Sequence, residues 1–125
     1  MGRVVLDSSC LIALFNVNDS HNKTIRSRIT ELNTYTASTI SITESLVREN
    51  ESNSFKNQLA TFKTLVTEII PVNEEIALMA SEIRARHLIK TPDSIISATA
   101  IQTRAILWTF DKSLAKAHSG AVLIK

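Results

Sequence analysis

Chain breakers are scarce in this sequence, with two glycines and two prolines in 125 residues. With 44% hydrophobic residues, that scarcity suits a helix-rich globular fold and leaves no stretch that reads as a linker, repeat or low-complexity segment. Long apolar runs are missing too. The longest are a few residues, so no segment reads as crossing a membrane. The start, Met1-Gly2-Arg3, leads straight into Val4-Val5-Leu6 without a signal-peptide apolar region or cleavage site, so a cytoplasmic location is expected. Cys10 is the one cysteine, which excludes an internal disulfide and fits a reducing compartment. His21, His87 and His118 lie far apart, without metal-ligand spacing, and read as surface residues. The length suits one domain over residues 1–125.

The net charge of +2 is small but unevenly spread. Residues 84–125 hold seven basic groups against two acids, a balance of +5, and those acids are Asp93 and Asp111. Residues 1–83 hold seven basic groups against ten acids, or −3. A basic collar around an acidic pocket would suit a polyanion held by its phosphates. The plainer reading is a dispersed set of solvated charges.

Apolar spacing predicts strands and helices in alternation. Strands are expected over residues 3–6, 34–38, 69–72, 105–109 and 121–124, the third placed at a sheet edge by Pro71. Helices are expected from Ser9, after the polar break 16–20 (with Ile25, Ile29 and Leu32 as its stripe), from Ser41, and from Asn53 or Ser54 with Phe55, Leu59, Phe62, Leu65 and Val66 on one face. Asn73 should cap a further helix whose apolar positions include Ile76, Met79, Ala80 and Ile83. Thr91-Pro92-Asp93 reads as cap, first-turn proline and first-turn acid. A short helix should span Asp111–Ala117, and Trp108 reads as core. Strands separated by helices imply parallel pairing, hence a three-layer α/β/α sandwich on a small parallel sheet.

Four acids sit where such a fold could gather them. Asp7 follows a buried-strand run, and Asp111 follows Ile106-Leu107-Trp108-Thr109 by two residues. Those places correspond to the carboxyl edge of the sheet, where open α/β folds place their sites. Asp93 and Glu44 stand in what read as first helical turns. Each acid has a bland role as well: Asp7 and Asp111 as helix caps, Asp93 in a helix dipole, Glu44 in a Ser41-x-x-Glu44 capping box or paired with Arg48. The combination matters, because crowded carboxylates repel unless a cation neutralises them, and a hard divalent ion is the simplest one.

These residues also carry a resemblance. Val4-Val5-Leu6-Asp7-Ser8-Ser9 with Leu11–Phe15 resembles the opening of a PIN domain. Ser41–Val47 around Glu44 resembles that family's second motif, and Arg84-Ala85-Arg86-His87 into Thr91-Pro92-Asp93 and Ala98-Thr99-Ala100 its third. Thr109-Phe110-Asp111-Lys112 resembles the fourth, with Ser8 where Thr is frequent and Phe110 where a polar residue is common. The likeness spans the chain and is narrower towards the VapC toxins of toxin–antitoxin pairs. It implies a PIN-like fold, a Mg²⁺- or Mn²⁺-dependent endoribonuclease, an RNA substrate, a cognate antitoxin and a homodimer. On this reading Asp7, Glu44, Asp93 and Asp111 are catalytic, with Asp7 and Asp93 as direct metal ligands. Ser9 and Thr109 would orient the carboxylates, and Arg84, Arg86, Lys112 and Lys116 could meet RNA backbone.

Other readings remain open at this point. A Mg²⁺-dependent phosphatase could use Asp7 as nucleophile, but Ser9 stands where its second acid would be. A receiver-type domain would want paired acids near residue 7. A binding module could keep the fold without chemistry.

Overall fold

The computed structural model describes residues 2–46 and 52–125, the latter with side chains from residue 56 onward. Five strands make one parallel sheet: β1 (Gly2–Leu6), β2 (Asn33–Ser38), β3 (Glu68–Ile70), β4 (Ile106–Thr109) and β5 (Val122–Leu123). Their order is β3-β2-β1-β4-β5, with Val5 level with both Thr36 and Leu107. The described helices are α1 (Ser8–Phe15), α2 (Asn22–Arg28), α3 (Thr39–Ser45), α4 (Ser52–Leu65), α5 (Glu74–His87), α6 (Thr91–Thr103) and α7 (Lys112–Ala117).

Alternation along β1 builds two cores. Val4 and Leu6 face one side and pack with Cys10 and Leu11 of α1, Ile25 of α2 and Phe62 of α4. Val5 faces the other, with Ile96 and Ala100 of α6, Leu107 of β4 and Leu114 of α7. Topology explains the division. The chain steps from β1 to β2 to β3 in one direction, then returns past β1 to β4 and β5. Right-handed crossovers in opposite directions must lie on opposite faces, which gives the three layers. The helix α5 packs on α6 through Ile76, Ala80, Ile83 and Ala98. β3 is an edge strand, as Pro71 after it suggests.

Several local expectations are corrected. The helix α2 ends at Arg28, Ile29 is extended at ψ 125°, and Leu32 lies outside it, 69% exposed. The stripe continues on paper, but the chain must turn to feed β2. The helix α3 begins at Thr39, capped by Ser38, whose Oγ accepts from the Ile40 amide at 3.2 Å. Ser41 is therefore a buried interior residue, no capping box forms, and Glu44 stands in the last turn rather than the first. Thr91 is the first residue of α6, preceded by Lys90 as a cap without a side-chain hydrogen bond. Expectations for Val47, Arg48 and the side chains of Asn53, Ser54 and Phe55 lie outside the described residues.

Candidate active site at the carboxyl edge of the sheet

The sheet order reverses between β1 and β4, and a crevice opens beyond the carboxyl ends of strands at such a switch point. Asp7 stands there. It leaves β1 with its amide on the Trp108 carbonyl at 3.2 Å, and it caps α1 through the Cys10 amide at 2.9 Å. The capping role and the site role thus coexist in one carboxylate. Asp7 is 3% exposed, and burial raises its pKa while hydrogen bonds from Ser9 and Thr109 pull the other way. Ser9 Oγ donates to Asp7 Oδ1 at 2.6 Å, and the Phe110 amide donates to Ser9 Oγ at 3.2 Å. Thr109 Oγ1 donates to Asp7 Oδ2 and accepts from the Asp111 amide at 2.9 Å. Both oxygens of Asp7 are therefore fixed by neighbours on two elements.

Asp111 caps α7, accepting from the amides of Ser113 at 2.8 Å and Leu114 at 3.3 Å. Glu44 comes from across α1. Its Oε1 accepts from Ser8 Oγ at 2.5 Å, and Ser8 Oγ lies 3.2 Å from the buried Ser41 Oγ. Ser8 and Ser41 are positioning residues whose role is not legible in the sequence, where Ser8 stands only as part of the first motif and Ser41 only as a helix start and cap. Asp93 lies in the first turn of α6. Its pKa is pushed up to about 6 by burial, then by the charges of Asp111, Asp7 and Glu44, with Lys90 opposing. That sum records the convergence: the other three acids all act on the Asp93 carboxyl. Among the described residues no three of His, Cys, Asp and Glu close a metal cage by themselves. The four acids offer oxygen donors alone, the donor type that hard divalent cations take.

The basic candidates lie on two helices, α5 and α7. Arg84 and Arg86 lie in the last turn of α5, Lys112 and Lys116 at the start and end of α7, and all four are exposed. Among the described residues the recorded ion pair is Arg3–Glu68, which joins β1 and β3. The histidines divide. His21 is exposed and stacks on Phe110, with ring centroids 4.2 Å apart and planes at 20°. His87 is exposed, whereas His118 corrects the surface expectation. It is 8% exposed, its Nδ1 is 2.7 Å from Ser97 Oγ, and burial lowers its pKa. A hydrogen-bonding partner one helix away makes that burial tolerable, and spacing along the chain could not reveal it. Trp108 is half-buried and meets Tyr35 edge-on at 5.9 Å, a packing role as expected.

Fold and site together define an α/β protein with a carboxylate cluster at a topological switch point. The model of the PIN domain family matches residues 4–119, and the chain belongs to that family. Similar solved structures include Mycobacterium tuberculosis VapC20, described as a sarcin-ricin loop cleaving toxin. It is 20% identical, with a TM-score of 0.78 and 98% of each chain covered. A toxin–antitoxin complex from Klebsiella pneumoniae is 28% identical, with a TM-score of 0.71 and 95% of each chain covered. VapBC2 from Rickettsia felis, bound to a DNA fragment of its promoter, is 18% identical, with a TM-score of 0.74 and 96% of each chain covered. Comparison with curated proteins finds no match.

Proposed function

We propose that this protein is a Mg²⁺-dependent endoribonuclease, with Mn²⁺ able to substitute, and the toxin of a type II toxin–antitoxin pair. The observation that carries the reading is the single carboxyl, Asp93, on which burial and three other acids act together. Repulsion of that kind is relieved by a bound cation. Membership of the PIN family and likeness to structures of toxins and toxin–antitoxin complexes support the same reading.

Asp7 and Asp93 would hold the ion directly, and Glu44 and Asp111 would hold its waters or a second ion. When bound, a divalent ion lowers the pKa of a water and offsets charge developing on phosphate oxygens. The chain's own part is orientation. Ser9 and Thr109 lock the two oxygens of Asp7, and Ser8 holds one oxygen of Glu44, so little reorganisation is needed when substrate arrives. Exposed cations on α5 and α7 would draw the phosphate backbone to this edge.

Asp7 is poorly disposed to act as a phosphatase nucleophile, because it is buried and both oxygens already accept hydrogen bonds. An RNA substrate, a cognate antitoxin, a homodimer and a cytoplasmic setting belong to the same proposal. The antitoxin would inhibit by placing an Arg or Lys near the acids. Incubation with total cellular RNA, with and without EDTA, followed by mapping of new ends, tests the reading. The parent should cut at defined sites only without EDTA, and Asp7→Asn and Asp93→Asn should not cut. Cleavage by either variant at the parent's rate would overturn it, and an inert parent would favour a non-catalytic binding module.

A further inference from the structure

Beside the acids lies a groove of about 360 Å³, lined by His87, Leu88, Ile89, Ser113, Lys116 and Ala117. It runs between the α5–α6 connection and α7, the two pieces of chain that lead to Asp93 and away from Asp111. Its inner end touches the site directly, since the Ser113 amide donates to Asp111 Oδ1 at 2.8 Å. From this geometry we infer that the groove seats the nucleotide adjoining the scissile phosphate of single-stranded RNA. This rests on the ribonuclease reading and adds where the strand leaves the acids.

Three observations converge on that occupant. First, the groove is basic. Lys116 and His87 are both exposed, and among the described residues neither forms an ion pair with a carboxylate. An unneutralised cation next to a carboxylate cluster is what a phosphate one unit along the backbone requires. Second, part of the lining is apolar and presented outward. Leu88 is 89% exposed, the most exposed large apolar side chain among the described residues. Bases offer flat apolar faces, and contact with them tolerates any sequence. Third, Leu88 occupies the cap of α5 with φ 54° and ψ 38°. Glycine is the usual occupant of that left-handed position, because a Cβ is unfavourable there. The Leu88 amide closes the helix by donating to the Arg84 carbonyl at 2.8 Å, so the backbone is held in place while the exposed side chain is left over for contact. Volume agrees, since small-ligand pockets begin at about 300 Å³.

The groove therefore divides labour: Lys116 and His87 take the flanking phosphate, and Leu88 lies under the base. The test uses the full chain carrying Asp93→Asn, so that binding is read without cleavage, and a labelled oligouridylate as probe. Adding Lys116→Glu should raise Kd severalfold and lower the slope of log K against log salt by about 0.7, the value for one single-strand phosphate contact. Adding Leu88→Gly, which removes the base contact and suits the left-handed backbone, should raise Kd without changing the salt slope. Lys63→Ala, on α4, serves as a control and should change nothing. In the otherwise unaltered protein, Leu88→Gly should slow cleavage of a long strand more than of a dinucleotide. If the parent cuts RNA but Lys116→Glu and Leu88→Gly bind and cut as it does, the groove assignment falls alone. If the parent neither binds nor cuts RNA, the ribonuclease reading falls and takes the groove with it. Loss of antitoxin binding with RNA binding intact would make this a protein-docking surface and would also overturn the proposal.

Discussion

Asp93→Asn should make the metal-free protein more stable, although it removes a proposed metal ligand. The Asp93 carboxyl titrates at about 6 instead of 3.8, through burial first and then the charges of Asp111, Asp7 and Glu44. A rise of that size, at about 1.4 kcal/mol per pH unit, is about 3 kcal/mol of cost to the ionised form. The side chain is only half-buried, so solvent screening reduces this to about 1–1.5 kcal/mol. Asparagine also forfeits the attraction of a carboxylate to the N-terminus of α6, about 0.5 kcal/mol. The net gain is then about 0.5–1 kcal/mol, or about 2–5 °C in Tm for a chain of this size. Its pH dependence identifies the cause. The folded pKa lies above the unfolded one, so the parent's relative stability is fully present below about pH 4 and is lost as pH rises through about 6. The advantage of the amide should therefore be absent at about pH 4 and complete above about pH 7. Urea melts in EDTA across that range are the assay. Saturating Mg²⁺ should reverse the order by stabilising the parent more than the variant. An amide variant that is less stable at every pH, or that gains equally at every pH, would refute the electrostatic argument.

Other perturbations read separate parts of the structure. Thr109→Val removes the hydroxyl shared by Asp7 Oδ2 and the Asp111 amide. It should cost about 1–3 kcal/mol in urea unfolding and raise the Asp7 pKa further, and unchanged stability would contradict the bridge. Ser8→Ala frees Glu44 from its hydrogen bond, so Mn²⁺ affinity measured calorimetrically should fall about tenfold. An unaltered affinity would mean that Glu44 needs no orientation. Phe62→Ala empties a fully buried site stacked on Phe15, with an expected loss of about 3–5 kcal/mol and no effect on the carboxylates.

Much of the fold was legible because short apolar runs have few alternatives. Val4-Val5-Leu6 alternates between two cores, and such a run followed by an acid places the acid at the sheet edge. The Asn73 cap and the buried Ile76, Ala80 and Ile83 follow directly from helical spacing. Where the reading failed, tertiary demands overrode local pattern. Leu32 continues the stripe of α2 on paper, but the chain must turn there to feed β2. Ser38 captures the cap of α3 because β2 runs into the helix without a loop, and that moves Glu44 to the far end of α3. His118 is buried through a hydroxyl on α6, a contact invisible to spacing. The four acids stood out in the sequence as a set, and Ser9 and Thr109 as neighbours able to orient them; the hydrogen bonds that tie Ser8 to Glu44 and to Ser41 needed three dimensions.

The most direct measurement is an anomalous difference map from crystals soaked in Mn²⁺. The account predicts a strong peak coordinated by Asp7 and Asp93, with Glu44 and Asp111 reaching it directly or through water. Occupied Mn²⁺ sites elsewhere with none between these carboxylates, or Asp7 and Asp93 turned away from a common centre, would contradict it.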